Sequence, residues 1–499
     1  MTPPPPFDAD YDVDHDDVQR LAWTGYPELP VASYLPLAFD DGARLGAWLD
    51  GLLRRLTTGR TDAPTTGATH VAFTHRGLVG LGLDERTRRG FSPAFREGMA
   101  GTPHRSWDMG DLDASAPGGW TWGGKDKPVD ALLMLFARNR DELDEAVKTT
   151  SAAAENAKIR LVTAKPLDAA WPRANGVDDP REHFGFADGL SQPKYRLRHD
   201  EPEKRDDREE ARLPPGELLL GYPNAAATIV PTPTVSATAF ARGLGLRLTP
   251  DGERCDLGRG GSYLVFRQLE QDVIGFWEFV ERAATSLGSS LEHAAAKMVG
   301  RWQNGAPLAT VPNQPAHMNV LFPTSGDNFR YVRDDADGSR CPIGAHVRRS
   351  NPRDALPGLR ERQSLASVQR HRILRRGRPY GAPVAGWPDP TAMLQRTNGQ
   401  PGDERGLHFL CLNADIEQQF EFIQARWLND PTFVNGFTNE VDPMIGRTRG
   451  GSHFVVPKEP TPCLIAAPDN LRRFVTVRGG EYFFMPSLRA LKYLARTDR

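Results

Sequence analysis

The chain has 499 residues, 39% hydrophobic and 25% charged, with a formal net charge of −2. That length can bury the cores of two ordinary domains, and the charge balance gives no electrostatic case for nucleic acid or an anionic membrane. No apolar run approaches the roughly 20 residues that span a bilayer, and the four cysteines, Cys255, Cys341, Cys411 and Cys463, form no C-x-x-C pair, which excludes a zinc ribbon and a disulfide framework.

Residues 1–17 are proline-rich and then acidic, with no export signature. They read as a flexible tail on a cytoplasmic, reduced protein. Residues 34–39 read as a strand, and Leu45, Trp48, Leu49, Leu52, Leu53 and Leu56 fall at helical spacing within 41–56. A strand over 69–74 and a short helix over 77–83 follow. The Gly/Trp/Asp-rich stretch 101–127 reads as a long loop. Residues 131–137 are an apolar run of strand length, 141–157 have the rhythm of a surface helix, and 159–162 form another strand. Two successive β-α-β runs define a ferredoxin-like α+β unit over 18–198. The charge-dense segment 199–215, closed by two prolines, reads as a linker. A second unit of the same type is expected over 216–499. It has strands at 261–269 and 406–413, and helices at 276–284, 290–299 and 416–428. A strand pair, 474–477 and 481–485, turns around Arg478-Gly479-Gly480.

Three stretches carry chemistry. Residues 341–353 place His346 between a Pro/Gly-broken approach and Arg348, Arg349 and Arg353. Neutral imidazole is a good axial ligand for iron, and guanidinium groups match the carboxylates of a haem; the same residues also describe an exposed basic loop. Residues 183–193 hold Asp188 between glycines and aromatic residues, either as a plain turn or as a general base at the edge of an apolar pocket. Residues 371–381 are a basic run containing Arg372, Arg375, Arg376 and Arg378, which by itself reads as a solvated strand end.

In this order the three stretches resemble the dye-decolourising peroxidase family. Gly185-Phe186-Ala187-Asp188-Gly189 is similar to its distal G-x-x-D-G motif, 341–353 to its proximal histidine motif, and 374–381 to its distal arginine segment. Residues 215–224, 266–272 and 414–422 add to the likeness. It runs from about residue 16 almost to the C-terminus, is strongest between 180 and 430, and looks most like the longer subgroup shared by bacteria and fungi.

The resemblance implies an α+β fold of two ferredoxin-like domains, each an antiparallel sheet with peripheral helices. One haem b per chain is expected in the C-terminal domain, held non-covalently because no C-x-x-C-H is present. His346 would be the axial iron ligand and Asp188 and Arg375 the distal pair, with Arg372 and Arg376 as neighbours in register. Glu417 and Glu421 are candidate acceptors for the second ring nitrogen of His346. The implied activity is reduction of hydrogen peroxide with one-electron oxidation of small organic donors, phenolic or dye-like. Asp188 would relay the proton and Arg375 would stabilise developing negative charge. Aspartates ordinarily titrate at about 3.9, so dye oxidation is expected to peak on the acid side of neutrality. Ten tyrosines and ten tryptophans include candidate relays for bulky donors. A haem-binding protein for porphyrin or iron handling, and a cofactor-free α+β interaction domain, are the competing classes. No nucleic-acid or membrane partner is expected, and self-association is compatible with the sequence.

Overall fold

The computed structural model describes the chain except for residues 1–11, 41–43, 60–65, 175–176, 197–211, 319, 396–403, 434–438, 458–462, 466–470 and 497–499. Strands β1 (Val31–Phe39), β2 (Gly67–Phe73), β3 (Ala131–Ala137), β4 (Ile159–Leu161) and β5 (Leu167–Ala170) belong to the N-terminal half. All seven residues of β3 are buried, as a continuous apolar run requires when both faces of a sheet are covered. The antiparallel order β2-β3-β1-β4 is that of a ferredoxin-like unit. Helices α1 (Leu45–Leu53) and α2 (Arg140–Asn156) flank it, and Asn139 caps α2 by accepting from Glu142 N–H at 3.0 Å.

The C-terminal half repeats the plan. Strands β6 (Ser262–Gln271), β7 (Leu374–Arg375), β8 (Arg378–Tyr380), β9 (Gly406–Asn413) and β10 (Val475–Met485) pair with β9 between β7/β8 and β6, and with β10 beyond β6. Helices α3 (Val273–Leu287) and α4 (Leu291–Val299) follow β6. A single β-bridge, Phe73 to Phe484, joins the two halves into one ten-stranded sheet. One face of each half contributes to a common core, with Tyr34, Phe136, Leu132, Phe266, Leu410 and Phe483 packed together.

The linker expectation falls mostly outside the described residues. Within its described end, Arg212–Leu213 pairs in parallel with Lys194–Tyr195. Of the N-terminal stretch, Val13 and Asp17 are buried, and Asp17 accepts from the backbone of Arg489 at the start of α5 (Leu488–Ala495).

Two local readings are corrected, and the helix expected over 416–428 is present with a different winding. The expected hairpin around Arg478-Gly479-Gly480 is one continuous strand, β10. Its register against β6 slips by one residue between Gln268 and Leu269, opposite Arg478, which is a β-bulge. The glycines are needed for close approach rather than for a turn. A Cβ on Gly479 would stand 2.5 Å from Trp122 Nε1, and one on Gly480 2.6 Å from Met99 Sδ. The helix after β9, Glu417–Glu421 and Ile423–Leu428, is wound as a π-helix. Glu421 N–H donates to Ile416 O and Asn429 N–H to Gln424 O, both five residues back. Finally, the stretch 101–127 contains a capped helix, Pro103–Met109, in addition to turns.

Candidate active site

The cavity that matters lies between the motif stretches. Its volume is about 280 Å³, at the lower end of the 300–1,000 Å³ of ordinary ligand pockets. Leu407 and Phe409 of β9 face it, as do Phe420, Ile423 and Leu428 of the π-helix, Val475 of β10, Met444 and Ile445. The period of two along β9 turns His408, Leu410 and Leu412 to the other face, where Leu410 and Leu412 join the shared core.

His346 opens a five-residue helix, His346–Ser350, and about 30% of its side chain is exposed, as befits a cavity-lining group. Its Nδ1 lies 2.9 Å from Oδ2 of the fully buried Asp442. The other carboxylate oxygen, Oδ1, accepts from Met444 and Ile445 N–H at 2.9 and 2.8 Å. Burial lowers the imidazole's proton affinity, but the charge and hydrogen bond of Asp442 more than offset it and hold His346 above its ordinary value. Because an ionised carboxylate can only accept, the neutral ring carries its proton on Nδ1, toward Asp442, and its lone pair on Nε2. Asp442 replaces the expected Glu417 and Glu421. Glu417 accepts from Ser92 and from Ala94 N–H, and Glu421 pairs with Arg105 and Tyr482, so both lie on the other side of the π-helix.

Asp188 sits on a tightly templated loop. Gly185 adopts φ +93°, and a Cβ there would also stand 2.6 Å from Gln303 Nε2. Ala187 N–H donates to Gln303 O and Asp188 N–H to Pro180 O, each at 2.9 Å. The Asp188 carboxylate accepts from Arg375 Nη1 at 2.7 Å, and Arg375 Nη2 donates to Leu190 O at 2.8 Å. Both residues line the cavity with His346, and their charges act on its imidazole. His183 ties this loop to the arginine segment through Tyr380 O, at 2.7 Å.

The basic run is not a solvated strand end. Arg376 donates to Leu21 and Ala22 carbonyls, and Arg378, fully buried, to those of Leu29, Gly25 and Tyr26. Of the arginines beside His346, Arg348 is consumed by Asp335 and Cys341, and Arg349 by the Trp427, Asp430 and Glu440 carbonyls. Arg353 does reach the cavity, where it shares Asp327 with Arg301. Arg372 also lines it and donates to Ser191 O at 2.7 Å. Burial, reinforced by Arg353, pulls the Arg372 guanidinium down to about 10, as expected of a cation short of anionic company.

The residues present fit a haem. The lone pair of His346 Nε2 meets an apolar slot, and Arg353 and Arg372 supply cations for carboxylates. Among the described residues no cluster of three or more His, Cys, Asp or Glu side chains is arranged to hold a bare metal ion. Asp442, Asp327 and Arg301 had no motif to announce them.

The fold and the relatives of the chain define its class, a haem peroxidase. The chain is 30% identical over 481 residues to the multifunctional dye peroxidase DyP2 of Amycolatopsis sp., covering 92% of this chain and 91% of that protein. It is 28% identical to a dye-decolorizing peroxidase of Mycetinis scorodonius, over 85% and 76% of the two chains. The solved structure of DyP2 superposes with a TM-score of 0.72 at 26% identity, over 96% of each chain. An ancestral D-type dye-decolorizing peroxidase gives 0.73 at 26% identity, over 96% and 98%. No family model matches the chain. The chain belongs to the dye-decolorizing peroxidase family, peroxide-dependent oxidoreductases that carry haem. This membership does not favour the porphyrin-handling alternative.

Proposed function

We propose that the chain binds one non-covalent haem b through Nε2 of His346 and uses Asp188 and Arg375 to reduce hydrogen peroxide at the expense of small organic donors, phenolic or dye-like. The observation that carries this reading is the pairing of His346 with Asp442 in the same cavity as the Arg375–Asp188 ion pair. Haem supplies the iron at which peroxide is reduced and donors are oxidised one electron at a time. Asp442 keeps the His346 ring in one tautomer and makes Nε2 a stronger donor. Asp188, an acceptor-only carboxylate when ionised, takes a proton from one peroxide oxygen and delivers it to the other, directly or through one water. Arg375 stabilises negative charge as the O–O bond breaks. Arg372 and Arg353 are suited to the haem carboxylates.

The division into an N-terminal unit over 18–198 and a haem-holding unit over 216–499 belongs to the same proposal. So does a cytoplasmic location, in keeping with Cys255, Cys341 and Cys411 as buried free thiols. No helix among the described residues is long and apolar enough to cross a membrane.

The test is a visible spectrum of the haem-supplied protein followed by peroxide. A Soret band, and donor oxidation that Asp188→Asn and Arg375→Leu abolish while the band stays, is the expected result. Absence of the band overturns the reading.

A further inference from the structure

The cavity holds a second carboxylate that the proposed reaction does not use. Glu182 lines it together with Asp188 and accepts three hydrogen bonds, from Phe184 N–H at 2.9 Å, Phe186 N–H at 3.0 Å and Gln271 Nε2 at 2.6 Å. The first two close the turn that leads into Asp188, and the Glu182 backbone braces the same turn through Phe186 and Gly185. Gln271 reaches in from the end of β6, and its Oε1 is buried without a partner. That orphan has a consequence. The amide's two ends differ only in whether they donate or accept. Turned over, Gln271 presents Oε1 to Glu182 and accepts the O–H of a protonated carboxyl. The hydrogen bond between the two side chains can therefore be made with Glu182 ionised and with it neutral.

We propose that Glu182 and Gln271 form a second proton-holding site of the peroxide cavity, and that Glu182 acts on the reaction through the charge it places beside Asp188. The inference rests on the function proposed above for Asp188. Its direction follows from the surroundings. Burial pushes the Glu182 carboxyl up to about 7, and the charge of Asp188 adds to this against the three hydrogen bonds. The other charged groups near the pair are engaged elsewhere. Arg181 is held by Asp179, and Asp272, next to Gln271, is paired with Arg472. His183 is neutral, drawn down to about 4 by burial, and Arg405, whose carbonyl accepts from Gln271 N–H, acts on that histidine. Below neutrality Glu182 is an uncharged acid beside Asp188. Above it the cavity gains a second negative charge, which opposes the anionic oxygen formed when peroxide is cleaved.

The pH profile of kcat/KM for peroxide should accordingly show an alkaline limb near neutrality. In haem-loaded Glu182→Gln, permanently neutral, that limb should move to higher pH. Gln271→Met, which removes a donor that favours the ionised form, should move it the same way while leaving Glu182 in place. An infrared titration provides a readout independent of turnover. Because Glu217 and Glu481 are also pushed up to about 7 by burial, the signal is the wild-type minus Glu182→Gln difference. It should contain a protonated-carboxyl band that disappears as pH rises through neutrality. Loss of turnover in Asp188→Asn with that band retained would uphold both readings; unchanged turnover in Asp188→Asn would sink the function of Asp188 alone. An alkaline limb unmoved in both variants, or a difference spectrum without the band, overturns the proposal for Glu182.

Discussion

Asp442 Oδ2 stands 2.9 Å from His346 Nδ1 although 96 residues separate the two in the chain. The carboxylate is completely buried and its other oxygen is held by two backbone N–H groups, so it is fixed before any ligand arrives. Replacing it with Asn removes the charge and keeps the shape. Asp442→Asn should lower haem affinity or turnover by about 10–100-fold and raise the haem reduction potential, because a less basic imidazole stabilises the ferric state less. Potentiometry of the haem-loaded variant checks this; an unchanged potential would contradict it.

Arg375 and Asp188 share a 2.7 Å ion pair, so their effects should overlap. Arg375→Leu should cost about 100–1,000-fold in the reaction with peroxide, on the scale of losing one preorganised donor, and Asp188→Asn about 100–10,000-fold. The double variant should lose much less than the product of the two, as groups acting as a unit do. Stopped-flow rates with peroxide, on proteins matched for Soret absorbance, decide the point. Strict additivity would mean the residues act separately.

His408 lies between the rings of Tyr380, at 4.5 Å, and Tyr34, at 5.3 Å, with neither ring nitrogen hydrogen-bonded. Burial depresses it from 6.5 to about 3. Between those values the unfolded chain binds a proton that the folded chain refuses, so stability falls as pH drops below 6.5. His408→Phe removes that penalty, which grows by about 1.4 kcal/mol per pH unit. At pH 5 the variant should gain roughly 2 kcal/mol relative to its own difference from wild type at pH 7.5. Denaturant titrations at the two pH values measure it. His70 and His183 are similarly depressed, to about 3 and about 4, so some acid sensitivity should remain.

Gly479→Ala tests why β10 carries two glycines. The added Cβ would meet the Trp122 indole at 2.5 Å and push it off its 2.9 Å hydrogen bond to Gln268 Oε1. Overpacking of this kind costs about 1–3 kcal/mol. A stability loss in that range with altered tryptophan fluorescence is expected; a neutral substitution would return Gly479 to the role of a turn residue.

The legibility of the chain follows the range of its interactions. Strands β3 and β9 coincide with their apolar runs at 131–137 and 406–413, and α2 differs from its expected span by one residue at each end. In these elements burial pattern and local spacing agree. The Gly-Gly pair in β10 misled because a glycine admits two causes, a turn or a neighbour too close for a Cβ, and the neighbour, Trp122, lies more than 350 residues away in sequence. The basic run 371–381 misled for a similar reason. Arg376 and Arg378 find their carbonyl partners near residues 21–29, beyond the reach of any local rule.

By itself the sequence determined the two α+β units, the order of the motif stretches and the residue types His346, Asp188 and Arg375, because each depends on short-range periodicity or on a compact motif. Tertiary structure alone decided what those residues touch. Asp442 rather than Glu417 or Glu421 backs the histidine, since winding the helix after β9 as a π-helix sends both glutamates to its far side. Among the neighbouring arginines, Arg375 is the one bonded to Asp188, and Gln271 meets Glu182 across 89 residues. Partners of this kind are chosen by which surfaces the folded sheet brings together, and a buried polar group accepts whichever complementary group arrives there.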